Sequence, residues 1–323
     1  MKFVTFESKG ALSPGVIIEP GQILDLKKAS SVRGGAIFSD MLDVIAAGAD
    51  GIGAIRRWLE SPPGECVVQQ KDVRLRAPLP RPNLIRDFAN YELHVRQAIA
   101  ASLKVRASAT PDPDATLAKF YDSGLHIIPK IWFEQPLYFK GNPRSVIGPD
   151  DDVIWPNFAK LMDYELELAV IVGGPAKDLT PENASDAIFG YTIFNDFSAR
   201  DMQSRETQFR LGPAKGKDFD TGNALGPVIV TPDEIPDPAA LAMIARVNGQ
   251  ERVRTNSGGM QHSIIDTLVH LSQSETLYPG DVIGLGTVGN GCGYESLTFL
   301  NEGDVVELEI EGIGILRNRL VRP

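Results

Sequence analysis

The chain has 323 residues, of which 43% are hydrophobic and 23% are charged, as is typical of globular rather than disordered or fibrous proteins. Its formal net charge of -10 comes without a dense basic cluster, which argues against nucleic-acid binding. An acidic surface repels anionic ligands at long range, so a site for a small acid would need local cations or a metal.

The N-terminal quarter predicts strands followed by a helix. Residues 2–6 predict a strand, and GVIIEPGQILDL predicts two strands around a Pro-Gly turn. Apolar residues recur at helical spacing over residues 38–59, although three glycines weaken the middle. Proline-rich stretches near residues 61–80 flank a predicted strand, DVRLRAPL. We therefore predict a small N-terminal α/β domain over residues 1–75 and a larger domain over residues 76–323.

The larger part reads as a strand-rich α+β domain. Its short β-prone segments are separated by Gly, Pro or Asn, and helical periodicity is confined mainly to residues 91–103, 181–187 and 262–275. Helices are too sparse for a regular βαβ alternation. The segment ASATPDPDATLAKFYDSG, within residues 105–130, predicts a mobile loop.

Cysteine content and hydropathy predict the cellular setting. The two cysteines, Cys66 and Cys292, lack the paired spacing of a zinc site or a disulfide framework. The start of the chain lacks an apolar signal core, and no apolar run approaches the ~20 residues of a membrane span. We therefore expect a cytoplasmic protein with neither membrane nor nucleic acid as a partner.

The segment Met162–Gly173 predicts a strand with two acidic residues on one face. Strand alternation puts Glu165 and Glu167 on the same side, ~7 Å apart. A solvated polar face is one interpretation. However, residues 168–172 are apolar on both faces, so the strand heads into an interior where paired carboxylates need a cation or a proton. This pattern favours a metal site.

A third acid follows in YTIFNDFSARDMQ, where an apolar strand ends at Asp196. Asp196 is either a further metal ligand or the cap of the helix that Ser198 opens. Carboxylate ligands without His or Cys indicate magnesium or manganese rather than zinc.

These motifs closely resemble those of the fumarylacetoacetate hydrolase superfamily. The resemblance rests on ELE, NDFSARDMQ and LGPAKGKDFDTGNALGP, and it extends collinearly from about Leu79 to the C-terminus. It implies a mixed β-roll or barrel catalytic domain, a homodimer, and metal ligands at Glu165, Glu167 and Asp196. The implied cofactor is Mg²⁺ or Mn²⁺, with Ca²⁺ as an alternative. Some family members add an Asp where this chain has Asn90.

The resemblance also implies the catalytic residues. The histidine of the family falls on His94 in NYELH, and its carboxylate partner on Glu295 in GCGYE; the other placement of that partner holds Gln97 here. Lys217 matches the catalytic lysine. The implied substrate contacts are Arg200, Gln203, Tyr138, Lys140 and Thr287, although core packing is an alternative for Tyr138.

The implied activity is that of a metal-dependent hydrolase acting on carbon–carbon bonds in ketonic substances. The substrate would be a small 1,3-diketo or acylpyruvate-type acid. His94, oriented by Glu295, would activate the attacking water, and Lys217 would support the enolate that leaves. A lyase that decarboxylates or dehydrates a 2-keto acid is the alternative enzyme. A catalytically inert binding protein on the same fold is the alternative outside enzymes.

Overall fold

A computed structural model describes residues 1–19, 21–35, 37–209 and 211–323. The described residues form a strand-rich mixed α/β structure, which confirms the predicted fold class. The strands up to residue 100 are β1 (Lys2–Ser8), β2 (Ala11–Glu19), β3 (Gln22–Asp25), β4 (Val67–Gln69), β5 (Arg74–Arg76) and β6 (Ile85–Phe88). Those that follow are β7 (Tyr138–Gly141), β8 (Val146–Ile147), β9 (Asp152–Ile154), β10 (Met162–Asp163), β11 (Leu166–Val172), β12 (Ile188–Asp196), β13 (Ser198–Ala199), β14 (Asn223–Val230), β15 (Ala242–Val247), β16 (Gln250–Asn256), β17 (Val282–Gly284), β18 (Val305–Ile310) and β19 (Gly314–Val321).

The α-helices are fewer than the strands. They are α1 (Leu26–Arg33), α2 (Met41–Ala46), α3 (Gly48–Glu60), α4 (Glu92–Ser108), α5 (Pro113–Asp122), α6 (Ile131–Glu134), α7 (Arg200–Glu206) and α8 (Ile264–Ser272). Within the described ranges, no helix is both long and apolar enough to cross a membrane.

The strands form two main sheets. Twelve strands build the larger one, in the order β4-β3-β2-β1-β14-β12-β11-β17-β6-β7, with β5 paired to β1 and β8 paired to β14. Five strands build the other, in the order β16-β15-β18-β19-β9, and β10 pairs with β13. Over the described residues both sheets are open paths rather than closed barrels.

The central strand β11 is buried on both faces, as its apolar sequence predicts. Leu166, Leu168 and Val170 pack in the hydrophobic cluster that includes residues of the five-stranded sheet. Ala169 and Ile171 point the other way, into the cluster that includes the N-terminal helices. Polar residues at the end of such a strand therefore lie in the protein interior.

The N-terminal strands extend the large sheet. β1 pairs antiparallel with β14, with Phe3 opposite Ile229. The predicted β2–β3 hairpin forms, although Pro20 of its turn lies outside the described residues. The helix expected over residues 38–59 is divided into α2 and α3, and Gly48 has a φ of 56° at the division. The division of the chain near residue 75 stays a prediction.

The segment within residues 105–130 is not a simple loop, and that expectation is wrong. It contains α5, which packs beside α4. The Asp112 side chain caps the first turn by accepting from the backbone N–H of Ala115 at 3.1 Å, and Pro113 occupies the first turn. Asp followed by Pro is a helix-start signal, so the residues taken for loop formers begin a helix.

Candidate active site

Four buried carboxylates converge at one end of the central strands. Glu167 lies on β11, Asp87 on β6 and Asp196 at the end of β12, while Glu165 directly precedes β11. All four are at most 5% exposed. Oxygens of Asp87, Glu165 and Glu167 lie within 4.8 Å of one another. The structure thus brings the predicted acids of the ELE motif together with Asp87, and Asp196 joins them through Lys217.

A glycine lets these carboxylates approach across the sheet. β17 lies between β11 and β6 and ends at Gly284. A Cβ atom at Gly284 would lie 2.5 Å from Asp87 Oδ1 and 3.0 Å from Glu167 Oε2. Because these distances are shorter than ordinary Cβ contacts, a larger residue would displace the carboxylates.

Lys217 lies between two of the acids. Its Nζ donates to Glu165 Oε2 at 2.6 Å and to Asp196 Oδ2 at 2.5 Å. Burial alone would lower the pKa of the Lys217 ammonium, but Asp196 and Glu165 hold it above its ordinary value. Lys217 is therefore a fixed cation. Asp196 binds this cation and does not cap a helix.

Glu167 is held by neutral donors instead. The Thr287 hydroxyl donates to Glu167 Oε1 at 3.0 Å, and the Gly286 backbone N–H donates to Oε2 at 3.2 Å. Thr287 is buried and orients a carboxylate, so it holds Glu167 in place. Burial is the main cause, and the charge of Glu165 the second, that raises the pKa of Glu167 to about 8. Burial, followed by the charge of Glu167, also raises the pKa of Asp87 well above its ordinary value.

Arg200 binds Glu165 and orients Gln203. Its Nη2 donates to Glu165 Oε1 at 2.7 Å, and its Nη1 donates to Gln203 Oε1 at 3.0 Å. Because that oxygen accepts from Arg200, Gln203 offers its Nε2 amide as a donor. Burial would raise the pKa of Glu165, but Lys217 and Arg200 together hold it below its ordinary value.

Asp163 links Arg200 to the loop that carries Glu295. Its Oδ2 accepts from Arg200 Nε at 2.8 Å and from the backbone N–H of Tyr294 at 2.9 Å. Its Oδ1 accepts from the backbone N–H of Gly293 at 2.7 Å. One carboxylate thereby fixes both a side chain of the cluster and the turn beside Glu295. Asp163 is not among the predicted site residues, although it is the first of three acids in the Met162–Gly173 segment.

His94 and Glu295 meet, although they are far apart in the chain. His94 Nδ1 lies 2.9 Å from Glu295 Oε1. The backbone N–H groups of Asn290 and Cys292 each donate to the Glu295 carboxylate at 3.1 Å. Gln97 donates to Asn290 Oδ1 at 2.6 Å and accepts from its backbone N–H at 3.2 Å. Gln97 therefore braces the loop, while Glu295 contacts the imidazole.

One cavity connects His94 with part of the carboxylate cluster. It has a volume of about 450 Å³ and is lined by His94, Glu165, Arg200 and Gln203. Its remaining wall is largely apolar and comes mainly from α4; it is formed by Val95, Ala98, Ile99, Leu103 and Leu125, with Arg106 as a further cation. The helix that carries His94 thus also shapes the space beside it.

Three predicted substrate contacts do not line this cavity: Thr287, which binds Glu167, and Tyr138 and Lys140 on β7. The Tyr138 ring packs on Phe88, with centroids 5.0 Å apart, and Lys140 is exposed. Phe139, between them on β7, has its ring centroid 5.7 Å from Lys217 Nζ. Because neighbouring strand residues point to opposite faces, Phe139 faces the cluster side and Tyr138 does not.

The fourth carboxylate is three residues from the position that the family resemblance suggested. The Asn90 side chain binds the backbone of His262 through two hydrogen bonds, of 2.8 Å and 2.9 Å, and so holds a loop. Asp87 occupies the cluster instead. Its signal in the sequence is the charged pair Arg86–Asp87 inside the apolar strand LIRDF, since charges inside a buried strand need partners.

The donor set fits a hard divalent cation. Its atoms are carboxylate oxygens, which Mg²⁺ and Mn²⁺ prefer. Two of them, Asp87 Oδ1 and Asp196 Oδ1, are buried with no hydrogen-bond partner in the described parts of the chain. With Asp163, five carboxylates lie around the cations of Lys217 and Arg200, so ionising all five would leave negative charge in excess. A divalent cation would compensate it.

Comparison with known proteins identifies the family. The model of the fumarylacetoacetate (FAA) hydrolase C-terminal family matches residues 83–321. The fold and the buried carboxylate cluster are thus found in a chain of an enzyme family, the fumarylacetoacetate hydrolase family, to which this chain belongs. It is 32% identical over 332 residues to the oxaloacetate tautomerase YisK of Bacillus subtilis (strain 168), covering 99% of this chain and 100% of that protein.

Solved structures agree on the fold. A fumarylacetoacetate hydrolase from Exiguobacterium antarcticum is 29% identical, with a TM-score of 0.75 and complete coverage of both chains. Maleylpyruvate hydrolase from Sphingobium sp. SYK-6, in complex with manganese(II) and pyruvate, has a TM-score of 0.71 at 24% identity, covering 100% of this chain and 99% of that one. The second likeness concerns the fold alone.

Proposed function

We propose that this chain is a divalent-metal-dependent enzyme that moves a proton at the carbon beside the keto group of a small 2-oxo dicarboxylic acid. Tautomerisation of oxaloacetate is the simplest such reaction. The observation that carries the proposal is that His94, held by Glu295, lines the same cavity as Glu165 of the buried carboxylate cluster. The relative of similar length, an oxaloacetate tautomerase, supports this choice of reaction.

The residues divide into those that hold the cation and those that move the proton. We assign the cation, Mg²⁺ or Mn²⁺, to Glu165, Glu167 and Asp196, with Asp87 as a fourth ligand. Bound there, it would supply positive charge that stabilises an enolate and lowers the pKa of the adjacent C–H bond. Lys217 would add a fixed positive charge beside the same oxygens.

His94 would transfer the proton. Since Nδ1 contacts the Glu295 carboxylate, the imidazole carries its hydrogen on Nδ1 and keeps a free electron pair on Nε2. Nε2 can then take a proton from the carbon and return it to the oxygen. The Gln203 amide would bind a substrate oxygen. Arg106 would attract the second carboxylate of a dicarboxylic acid, whereas the apolar wall accommodates its carbon chain.

Hydrolytic cleavage of an acylpyruvate is the second candidate. The carboxylate-held histidine favours it, because the same Nε2 can take a proton from water that attacks a carbonyl. One water would be consumed and two acids would be released. Decarboxylation or dehydration of a 2-keto acid remains a prediction from the sequence.

One set of assays separates these reactions. The enzyme with Mg²⁺ or Mn²⁺ is given oxaloacetate and an acylpyruvate, and keto–enol conversion, deuterium exchange, carbon dioxide and pyruvate are followed. We expect rapid conversion of oxaloacetate between its keto and enol forms without loss of carbon dioxide. Release of pyruvate from the acylpyruvate at a higher kcat/KM would favour the hydrolase instead.

Variants test the role of the pair. His94→Ala should lower kcat by roughly 10²- to 10⁴-fold, the range for losing positioned proton transfer. Glu295→Gln should cost less, and the double variant should be hardly slower than His94→Ala, because Glu295 acts through the imidazole. His270→Ala, on α8, is the matched control and should keep full activity. An enzyme at full rate without His94 would overturn the proposal.

The assembly is a separate proposal. The family resemblance predicts a homodimer, which light scattering over a range of concentrations would detect. A monomer at every concentration would remove this proposal without changing the chemistry at the cavity.

A further inference from the structure

A thiol lies beside the catalytic pair, and the proposed reaction makes no use of it. Cys292 is 4% exposed, and its Sγ lies 4.0 Å from His94 Nδ1. His94 Nδ1 in turn lies 2.9 Å from Glu295 Oε1. Donor atoms of all three residues lie within 4.8 Å of one another. Nitrogen, sulfur and oxygen donors are thereby gathered at one point.

We propose that Cys292, His94 and Glu295 form a second, inhibitory metal site, specific for thiophilic divalent cations such as Zn²⁺. Three protein ligands of this kind with a water in the fourth position are typical of zinc. Bond lengths of ~2.0 to 2.3 Å in a tetrahedron require ligand atoms roughly 3.3 to 3.8 Å apart. His94 Nδ1 lies 2.9 Å from Glu295 Oε1, below that range, and 4.0 Å from Cys292 Sγ, above it. Small side-chain rotations would therefore complete the site.

The donor chemistry separates this site from the carboxylate cluster. The cluster offers only hard oxygen donors, which suit Mg²⁺ or Mn²⁺, whereas a thiolate selects softer metals. The absence of a paired cysteine spacing in the sequence does not exclude such a site, because its ligands come from α4 and from a distant loop. Only the fold brings Cys292 to His94.

The cation has its own route to the thiol. Cys292 and Glu295 line a different cavity from the one that His94 lines, with a volume of about 420 Å³. Gln97, Asn290 and Asp304 also line it and offer oxygen atoms to a cation, whereas Arg252 adds one positive charge to the wall. A metal can therefore reach Cys292 while substrate occupies the reaction cavity.

Binding would switch off the imidazole by a change of tautomer. As the metal–sulfur bond forms, the Cys292 thiol releases its proton to solvent, with no change in oxidation state. His94 must offer the electron pair of Nδ1 to the metal, so its ring hydrogen moves to Nε2. Nε2 then has no electron pair for the substrate proton. This consequence rests on the proposed function, whereas metal binding itself does not.

Cobalt(II) tests the site without an activity assay. The whole protein is saturated with Mg²⁺ and titrated with Co²⁺, and the thiolate-to-cobalt charge-transfer band and proton release are recorded. We expect a band that saturates at one equivalent, with about one proton released per cobalt. Cys66→Ser, which changes the other buried thiol, should keep the band. Cys292→Ser should lose it.

The zinc-bound wild type provides a measurement that needs no variant. Its X-ray absorption spectrum should show one sulfur and at least one imidazole nitrogen around zinc. Absence of sulfur, or a cobalt band that persists in a folded Cys292→Ser protein, would overturn the proposed site.

Inhibition then separates this inference from the proposed function. Zn²⁺ should inhibit the wild type and Cys66→Ser alike. Cys292→Ser should need at least about tenfold more Zn²⁺ for the same inhibition, because even residues that only support metal ligands contribute about tenfold to metal affinity. If cobalt and zinc bind as described but activity persists, the metal site stands and the role of His94 as the base fails. If neither metal binds and the enzyme is active, the inhibitory site alone fails.

Discussion

Gly284 determines how closely the carboxylates of the candidate metal site approach one another. A methyl group there would overlap Asp87 Oδ1 at 2.5 Å and press on Glu167 Oε2 at 3.0 Å. We expect Gly284→Ala to weaken Mg²⁺ binding by about 10- to 100-fold, as expected when metal ligands lose their positions. Titration calorimetry measures the affinity. Gly174→Ala, where a Cβ meets no atom within 4 Å, is the control.

Unchanged Mg²⁺ affinity in a folded Gly284→Ala protein would place the cation elsewhere. Equal Mg²⁺ affinities for Gly284→Ala and Gly174→Ala would show that the close approach of Asp87 and Glu167 across β17 does not determine Mg²⁺ binding.

The raised pKa of Glu167 predicts how metal affinity depends on pH. Without metal, this pKa is about 8, because of burial and the charge of Glu165. Below that pH the cation must displace a proton from Glu167, so affinity should rise with pH by up to about tenfold per unit for each proton displaced. It should level off above pH 8. Asp87, Asp196 and Lys217 also face the group, so more than one proton can contribute.

Calorimetry in buffers of different ionisation enthalpy counts these protons. At pH 6.5 to 7.5 we expect proton release on Mg²⁺ binding, and at higher pH much less. An affinity that does not change between about pH 6 and pH 8 would show that the cation does not contact Glu167.

The residues of the site differ in how far the sequence predicts them. Glu165 and Glu167 follow from strand alternation ahead of a run that is apolar on both faces. Asp87 has no such pattern around it and is recognisable only as a charge in a buried strand. It reaches the cluster because β6 lies beside β17, a neighbour that residue spacing does not reveal.

At the scale of elements, one ion pair joins the two strands β6 and β17 beside the carboxylate cluster. Arg86, on β6, is 1% exposed, and its Nη1 donates to Asp281 Oδ2 at 2.9 Å. Asp281 directly precedes β17 and is 2% exposed. Glu275, at 39% side-chain exposure, binds the other end of the guanidinium. The pair therefore fixes β6 against β17 next to Asp87.

Removing Asp281 should be costly, because it takes the buried partner from the buried Arg86 guanidinium and leaves the partly exposed Glu275 to compensate its charge. Asp281→Ala should lower the free energy of unfolding by about 3 to 5 kcal/mol, the range for breaking a buried pair. Urea denaturation measures it. Glu251→Ala breaks the exposed Arg254–Glu251 pair, with side chains 58% and 41% exposed, and should cost much less, because solvent screens the two charges. Equal losses in both variants would mean that burial of the pair is unimportant.

The elements themselves were predicted unevenly, for physical reasons. β11 and β12 follow from apolar runs, and α4 from its periodicity. α5 was missed because Pro and Asp are turn formers in isolation, whereas here Asp112 and Pro113 start a helix that packs against α4. The helix over residues 38–59 was predicted as one element, and Gly48 divides it because its positive φ is accessible to glycine.

At the scale of the whole molecule, the N-terminal residues share a hydrophobic cluster with the central strands β12 and β14. Phe3, Val16 and Leu24 lie in the same hydrophobic cluster as Phe194 and Ile229. The composition around residues 61–80 marks a change in the chain, but it carries no information about which strands pair. Pairing of β1 with β14 joins the two parts in one sheet.

This shared sheet predicts that the chain unfolds as one unit. Separate domains would give two calorimetric transitions, and only the one that contains the carboxylates would shift with Mg²⁺. A single core instead gives one transition, which moves as a whole by mass action; the stabilisation is about 2.7 kcal/mol when free Mg²⁺ is 100 times its Kd. Differential scanning calorimetry with and without Mg²⁺ distinguishes the two cases.

The fragment of residues 76–323 is the companion measurement. It would expose the edge of β14 and the side chain of Phe189, whose ring centroid lies 5.3 Å from that of Phe3, so we expect it to aggregate or to lack a cooperative transition. A fragment that unfolds cooperatively and binds Mg²⁺ as tightly as the whole chain would instead establish residues 1–75 as an independent domain.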